Sequence, residues 1–230
     1  MRRRRCRRQH RPRRRAGGVG GDARVSPVGG ITIDDVRAAH QRIADKVIRT
    51  PLLLSPGLSE ATGAEVHLKC ENLQYVGAFK ARGATNAVFS LSEAEAGAGV
   101  CTHSSGNHAA ALARAARLRG IAAHIVMPRN SSALKLDAVR ALGVEPILCE
   151  PTAEARQAKA DEVVASTGAT FIHPYNDPRI IAGQGTVGLE IDEQAPELDA
   201  VIVPVGGGGL LSGCLLALGA RRPGLPIYGA

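Results

Sequence analysis

The chain has 230 residues, 44% of them hydrophobic, which is enough for a sizeable core in one or two domains. No apolar run approaches the roughly 18 residues that span a bilayer, so we expect a soluble protein without a membrane partner. The net charge of +8 belongs to the N-terminus, because ten arginines stand among the first fifteen residues and the rest of the chain holds 19 basic against 21 acidic residues.

The Arg-rich segment 1–28 is expected to form a disordered tail, because its like charges repel and it has little apolar surface to bury. Three interpretations of its role stay open. It could bind nucleic acid through phosphate contacts, it could be a transit peptide that is cleaved before Val28, or it could be a non-native extension from an upstream start codon. We favour the extension and expect no nucleic-acid partner. Deletion of residues 1–15 tests this, because only a nucleic-acid-binding protein should lose salt-sensitive affinity.

Five cysteines are scattered along the chain without any CxxC spacing: Cys6, Cys70, Cys101, Cys149 and Cys214. All except Cys6 lie among apolar residues and are predicted to be small buried side chains. This pattern indicates a reducing cytoplasm, and it favours neither a disulfide framework nor a zinc site.

The predicted elements begin with a helix that Thr32 caps and whose apolar face continues to Ile43. A short strand follows at 65–70, and a helix over 81–91 places Lys80 at a helix N-terminus. Four strands then alternate with three helices, each helix followed by a glycine of the kind that ends helices. The strands are expected at 100–102, 122–127, 145–149 and 170–172, and the helices at 107–119, 132–142 and 152–167. This alternation predicts βαβ units and a parallel sheet.

The last predicted unit contains a helix over 184–194, the strands Val201–Val203 and Ile227–Tyr228, and a helix over 210–218. Between the first strand and the last helix stand Gly206, Gly207, Gly208 and Gly209. Glycines let a backbone approach an anion closely, and a helix N-terminus offers free N–H groups and a favourable dipole. We therefore predict a phosphate-binding loop here, although a merely flexible turn is the alternative.

Residues 183–188 formally match the GxGxxG pattern of dinucleotide-binding proteins. No strand leads directly into this segment, and no acidic residue follows at the distance that such a site needs. We therefore expect these glycines to serve close helix packing.

Two further segments carry chemistry-bearing residues. Phe79, Gly77 and Gly83 flank Lys80 and indicate a constrained, partly buried amine, whose desolvation would free it for nucleophilic and general-base work. A surface lysine is the alternative. At 104–108, the sequence Ser-Ser-Gly-Asn-His joins a predicted strand to a helix. These side chains could cap the helix or hold a substrate carboxylate.

Taken together, these segments resemble the fold-type II pyridoxal-phosphate enzymes, specifically the serine racemase and threonine/serine dehydratase family. The resemblance runs from about Ile31 to Ala230, and five ordered motifs carry it: 69–72, 77–84, 104–108, 181–186 and 203–209. It implies an α/β fold similar to tryptophan synthase β, with two doubly wound parallel-sheet domains. Residues 31–97 and 177–230 would form a large, incomplete domain, and residues 98–176 a small one, with the site in the cleft between them.

The resemblance also implies roles for individual residues. Lys80 would carry pyridoxal phosphate as a Schiff base and later remove the α-proton of the substrate, and Phe79 would lie beside the cofactor ring. The residues that would bind the ring hydroxyl and the phosphate are Asn107, Gly206, Gly207, Gly208, Gly209 and Leu210. The residues that would surround the substrate carboxylate are Ser104, Ser105, Gly106 and His108, although the sequence alone favours a structural role for His108.

The activity that the resemblance implies is a serine/threonine ammonia-lyase that converts a small β-hydroxy amino acid to a 2-oxo acid and ammonia. Ser105 and His173 are similar to the residues that racemases have at these positions, and in racemases such a serine acts as the acid/base on the face of the substrate opposite the lysine. Residues 175–178 are similar to those of dehydratases. We therefore favour an enzyme with both activities. The alternatives are a predominant serine racemase, a cysteine-synthase-like enzyme, which lacks this substrate loop, and an inactive fragment with a nucleic-acid-binding tail.

Family members continue beyond the position of Ala230, so the resemblance implies a further region with the residue that faces the pyridine nitrogen. That region would also hold an acidic site for Mg²⁺ or Ca²⁺, and we expect no metal site within the present chain. A homodimer is the oligomeric state that the family implies.

Overall fold

The computed structural model describes residues 30–230, so the predicted tail 1–28 and Cys6 lie outside the described residues. The helices are α1 Ile33–Ile43, α2 Pro56–Thr62, α3 Lys80–Phe89, α4 Glu93–Ala98, α5 Asn107–Arg119, α6 Ala133–Arg140, α7 Ala153–Thr167, α8 Pro178–Gln194 and α9 Gly209–Arg221. The strands are β1 Leu52–Leu54, β2 His67–Lys69, β3 Val100–His103, β4 Ala123–Pro128, β5 Ile147–Cys149, β6 Thr170–Phe171, β7 Val201–Val203 and β8 Ile227–Gly229. Among these helices, none is long and apolar enough to cross a membrane.

The first helix begins where the sequence predicts it. Thr32 and Asp35 form a capping box, in which Asp35 accepts hydrogen bonds from the backbone and the hydroxyl of Thr32. The strand predicted at 65–70 is present as β2, and the structure adds β1 and α2, which the sequence analysis did not predict. Strands β1 and β2 pair antiparallel in the register Leu53 to Leu68, and α2 connects them.

The predicted parallel sheet is confirmed. Its strand order is β5-β4-β3-β6, and each neighbouring pair runs parallel. Alternate residues of β3 face opposite helix layers, since Val100 packs in the cluster of α5 and Cys101 in that of α7. The chain order changes direction between β3 and β6. In open parallel sheets, the crevice outside the carboxyl ends of the strands at such a point is the usual place for a ligand.

Two of the three glycines that follow the predicted helices behave as expected. Gly120 and Gly168 are the C-caps of α5 and α7, and both have left-handed backbone conformations, with φ of 72° and 73°. The third, Gly143, has a φ of 85° but lies beyond the C-cap of α6, which is Ala141. The prediction for the cysteines holds in part. Cys101, Cys149 and Cys214 are buried, whereas Cys70, the residue that follows β2, is partly exposed.

Helix α8 is longer than predicted. It begins at Pro178 rather than 184, because Asp177 caps it by accepting a hydrogen bond from the backbone N–H of Arg179, and proline fits the first helical position. The interpretation of residues 183–188 as a packing motif is confirmed. A Cβ atom at Gly183 would lie 2.5 Å from the Cα atom of Gly83 on α3, and one at Gly185 would lie 2.9 Å from the carbonyl oxygen of Gly213 on α9. Helix α8 therefore lies in close contact with both helices that begin at the candidate site.

The C-terminal unit of the described chain is a parallel pair, β7 and β8, with α9 packed against it. Val201, Val203, Leu210 and Leu218 form its buried cluster together with the end of α8. Phe79, which precedes α3, packs against this cluster. The start of α3 therefore packs against the strand and the helix that flank the glycine loop.

Candidate active site

Lys80 is the first residue of α3, as predicted, and its side chain is half-buried. The Nζ atom donates a hydrogen bond of 2.7 Å to the carbonyl oxygen of Pro174, and it lies 5.3 Å from the centre of the Phe79 ring. Burial lowers the pKa of Lys80 below its usual range. The partner is a neutral carbonyl, so the site supplies no negative charge there to hold the proton on this amine.

The turn that leads into Lys80 is conformationally unusual. Val76 has a φ of 56° and is, within residues 30–230, the one residue other than glycine with a positive φ. Such a conformation costs a β-branched residue on the order of 1–3 kcal/mol and persists only where surrounding contacts impose it. Val76 packs against the main core cluster, which contains residues of α3 and α5. The core therefore holds the chain in the path that places Lys80 at the helix start.

The four glycines lie, as predicted, between a buried strand and a helix. Gly208 has a φ of 84°, and α9 begins at Gly209 without a side-chain cap on its N-terminal N–H groups. A Cβ atom at Gly206 or at Gly208 would meet no atom within 4 Å. The loop thus offers open space beside free backbone donors at a helix N-terminus, which is the arrangement that a phosphate group needs.

Residues 104–108 form the expected turn at the carboxyl end of β3. The backbone N–H of Gly106 donates to the hydroxyl of Ser104 at 3.4 Å, and Asn107 begins α5. Within residues 30–230, the side chains of Ser105 and Asn107 form no hydrogen bond, and both are at least partly exposed to solvent. These polar groups are therefore free to bind a ligand.

His108 differs from the other residues of this turn because its side chain is buried. Its Nε2 atom lies 3.4 Å from the carbonyl oxygen of Ile172, and its Nδ1 atom has no partner among the described residues. Burial, together with the charge of Lys80, lowers the pKa of His108 to about 3. At neutral pH the imidazole is uncharged, and its one N–H is the Nε2 group that faces the Ile172 carbonyl. The Nδ1 atom is therefore an acceptor, and His108 offers a substrate carboxylate no positive charge.

The turn after β6 brings these segments together. Strands β3 and β6 are neighbours, so residues 173–176 lie beside the turn 104–108 at the carboxyl edge of the sheet. Pro174 of this turn accepts the hydrogen bond from Lys80. Tyr175 contacts the glycine loop, because a Cβ atom at Gly207 would lie 2.2 Å from the Tyr175 ring. Sequence reasoning assigned no role to this contact, and no local signal in the sequence indicates it.

A buried ion cluster lies behind Lys80 and was also missed. Arg82 is fully buried and donates hydrogen bonds of 2.7–2.9 Å to both carboxylate oxygens of Glu71 and of Glu190. Lys69 donates to Glu190 and to the carbonyl oxygen of Thr50. Burial opposes the charge of Arg82, yet the hydrogen bonds to Glu71 and Glu190 raise its pKa above the usual range. The cluster joins α3, α8 and β2, and it thereby fixes the helix that carries Lys80.

The site therefore combines a desolvated lysine amine with an open glycine loop at a helix N-terminus and a polar turn at the switch point of a parallel sheet. This donor set fits an aldehyde cofactor with a phosphate group, since the amine can form a Schiff base and the loop can bind the phosphate. A site of this kind defines the class of pyridoxal-phosphate enzymes with an α/β fold.

Comparison with known proteins gives the family. Residues 43–230 match the family described as pyridoxal-phosphate dependent enzyme, and the chain belongs to this family. It is 51% identical over 199 residues to a beta-hydroxyaspartate dehydratase of Paracoccus denitrificans, covering 86% of this chain and 63% of that protein. It is 46% identical to an L-threonine ammonia-lyase of Thermotoga maritima, covering 86% of this chain and 50% of that protein.

The structure of maize serine racemase has the same fold, with a TM-score of 0.86 and 48% sequence identity. The similarity covers 87% of this chain and 61% of the maize protein. The fold-type II architecture expected from the sequence is thus confirmed. The chain spans about half to two thirds of the length of these relatives.

Proposed function

We propose that this chain carries the lysine and phosphate-loop half of a pyridoxal-phosphate-dependent serine/threonine ammonia-lyase that also has serine racemase activity. The observation that carries this proposal is the desolvated Lys80 amine, held at 2.7 Å from the Pro174 carbonyl by the same turn that contacts the glycine loop. The names of the similar proteins support both activities, because they include two lyases and a serine racemase.

The cofactor, when bound, supplies the electron sink that stabilises the carbanion formed at the substrate α-carbon. The residues proposed to hold it are those of the glycine loop from Gly206 to Gly209, with the amide of Leu210 on its phosphate, Asn107 on its ring hydroxyl and Phe79 beside its ring. Gly206 and Gly208 border open space, and α9 directs uncapped N–H groups toward it. These features support the phosphate assignment.

Lys80 is proposed to take the α-proton of the substrate on its Nζ atom. Because burial lowers the pKa of this amine, a larger fraction of it is neutral near pH 7 than for an exposed lysine. Loss of the β-hydroxyl with the α-proton, followed by hydrolysis, converts a β-hydroxy amino acid to a 2-oxo acid and ammonia. Ser104, Ser105, Gly106 and His108 are proposed to surround the substrate carboxylate.

Racemisation requires a second proton donor, on the face opposite Lys80. Ser105 is proposed for this role because it comes from a different segment, the turn after β3, and its hydroxyl is accessible and has no partner within residues 30–230. An assay that quantifies ammonia, the 2-oxo acid and both serine enantiomers tests the two activities together. Ser105→Ala should abolish D-serine formation and retain ammonia release. Equal loss of both activities would contradict this assignment. Ser104→Ala is the matched comparison, and it should lower both activities alike because Ser104 is proposed to contact only the substrate carboxylate.

We further propose that the protein works in a reducing cytoplasm as a homodimer, with a small domain at 98–176 and a larger one that contains 31–97 and 177–230. Within residues 30–230 every cysteine is a free thiol, which supports the compartment. The packing of α1 against α8 and α9 supports the grouping of the outer segments into one domain. Light scattering of the purified chain measures the oligomeric state, and a monomer would contradict that part of the proposal.

A further inference from the structure

The four glycines of the loop do not have equivalent surroundings. A Cβ atom at Gly206 or Gly208 would enter open space, whereas one at Gly207 would lie 2.2 Å from the ring of Tyr175. A Cβ atom at Gly209 would lie 2.8 Å from the carbonyl oxygen of Tyr175. Gly206 and Gly208 therefore border the space available to an anion. Positions 207 and 209 require glycine because Tyr175 lies too close for a side chain.

Tyr175 belongs to the turn that also binds the Lys80 amine. Pro174, the preceding residue, accepts the hydrogen bond of 2.7 Å from Lys80. A displacement of the Tyr175 backbone would move the Pro174 carbonyl as well, because the two residues share a peptide bond. The turn thus links the glycine loop to the Lys80 amine by direct contacts at both ends.

His173 holds this turn in its conformation. Its Nδ1 atom accepts hydrogen bonds from the backbone N–H groups of Tyr175, at 3.3 Å, and of Asn176, at 3.0 Å. The ring of His173 also lies perpendicular to that of Tyr175, with 4.5 Å between the ring centres. This edge-to-face contact and the two hydrogen bonds keep the tyrosine ring against the loop.

We infer that Tyr175 is a positioning residue that shapes the anion-binding side of the glycine loop and connects this loop to the Lys80 amine through the turn 173–176. This inference rests on the proposed function, because it takes the ligand of the loop to be a phosphate group. It adds that the loop has its binding shape only while the tyrosine ring packs on Gly207. Occupation of the loop by phosphate should consequently be felt at Lys80.

The first test is a double-mutant cycle between Gly207 and Tyr175, with inorganic phosphate as the ligand of the full chain. Gly207→Ala should weaken phosphate binding by about tenfold, because the new methyl group displaces the ring and hence the loop. In the Tyr175→Ala background, where the ring is absent, the same substitution should have no further effect. Tyr175→Phe keeps the ring and should bind phosphate like the unmodified chain.

Gly206→Ala is the matched control, because it adds the same methyl group one residue away, in open space and without a positive φ. Its effect on phosphate binding should be the same in the unmodified chain and in the Tyr175→Ala background. If Gly207→Ala destabilises the chain too much for a binding assay, thermal unfolding replaces that assay. The double variant with Tyr175→Ala should then have the melting temperature of Tyr175→Ala alone. Equal effects of Gly207→Ala in both backgrounds would overturn the inference in either assay.

The second test measures the connection to Lys80 with pyridoxal, which lacks the phosphate group. Absorbance gives the rate at which pyridoxal reacts with the amine, after subtraction of the rate for Lys80→Met. Inorganic phosphate should change this rate in the unmodified chain and leave it unchanged in Tyr175→Ala. An identical response to phosphate in both chains would refute the connection.

The tests separate this inference from the proposed function. If the unmodified chain binds neither inorganic phosphate nor pyridoxal phosphate, the phosphate loop itself is wrong and the inference fails with it. If phosphate binds and the cycle shows no coupling, the proposed function stands and only the role of Tyr175 is refuted.

The chain has three tyrosines and no tryptophan. In a variant with Tyr75→Phe and Tyr228→Phe, the tyrosine fluorescence therefore comes from Tyr175 alone and reports on its environment when phosphate is added.

Discussion

Lys80 and Arg82 lie two residues apart on the same helix, and both are cations removed from water, yet their surroundings shift their pKa values in opposite directions. Burial lowers the pKa of Lys80, whose partner is the neutral carbonyl of Pro174. For Arg82, hydrogen bonds to Glu71 and Glu190 outweigh burial and raise the pKa. The difference shows that burial alone does not make a side chain reactive. The absence of a carboxylate partner is the feature that suits Lys80 to the proton transfer proposed above, while the ion pairs of Arg82 fix the helix that carries it.

The largest expected effect comes from Lys80→Met, which removes the reactive member of the comparison. Ammonia release should fall by on the order of 10²–10⁴-fold or more, because both the Schiff-base amine and the general base are lost. The free energy of unfolding should not fall. Since the pKa of Lys80 is lowered on folding, the charged amine opposes folding at pH 7, and this cost disappears only as pH rises through the folded pKa toward 10.5. A destabilised Lys80→Met chain would contradict this account.

Arg82→Met replaces the other buried cation of α3 with the same side chain, and here the expected effect is a loss of stability. It leaves two buried carboxylates without their main partner, which costs about 3–5 kcal/mol of the free energy of unfolding. Urea denaturation measures this cost. Arg82→Lys is the control that keeps the charge and loses the paired hydrogen bonds, so it should be of intermediate stability. Unchanged stability of Arg82→Met would show that the cluster does not hold α3 in place.

His108 extends the comparison to a third buried basic side chain, and here the expected effect depends on pH. Its folded pKa is about 3, so the unfolded chain binds the proton first as pH falls from 6.5. The free energy of unfolding should therefore decrease as pH falls from 6.5 toward 3, by up to about 1.4 kcal/mol per pH unit. His108→Asn should show a shallower decrease in parallel urea titrations at pH 7, 6 and 5. Parallel curves for the two proteins would contradict the buried, neutral imidazole.

The smallest effect is expected for an ion pair that stays in water. Arg37 donates to Asp34 one turn away on α1, and both side chains are largely exposed. Arg37→Ala should change the free energy of unfolding by less than about 0.5 kcal/mol, because solvent screens such pairs. If Arg37→Ala lowered the free energy of unfolding as much as Arg82→Met, burial would not explain why the buried and the exposed ion pairs differ in strength.

The features of the site that could be predicted from the sequence are those encoded by neighbouring residues. Lys80 at a helix start, the glycines between β7 and α9, and the packing glycines of α8 each follow from a short segment. The start of α8 was missed because the capping residue Asp177, followed by Pro178, is a weaker signal than the glycine pattern after it. Strand β1 was missed because it has only three residues, too few to show a period, whereas β2 lies within the strand predicted at 65–70.

The parts of the site that escaped prediction depend on contacts between distant residues. Arg82 and Glu190 are 108 positions apart, so a lone charged residue in each segment indicates nothing about their pairing. The contact of Tyr175 with Gly207 likewise exists only because β6 lies next to β3 and carries the turn 173–176 toward the loop. Helix packing decides the first of these contacts and strand order the second, and the sequence predicts neither the packing partners nor the order of the sheet.

Lys80 is proposed to be the reactive amine of this helix and the residue that binds the cofactor. The most direct test is the visible absorption spectrum of the purified chain with pyridoxal phosphate, recorded beside Lys80→Met and Arg82→Lys. We predict a band that requires Lys80, persists in Arg82→Lys and shifts when L-serine is added. The same band in Lys80→Met, or its absence from the unmodified chain with a folded circular dichroism spectrum, would contradict the claim.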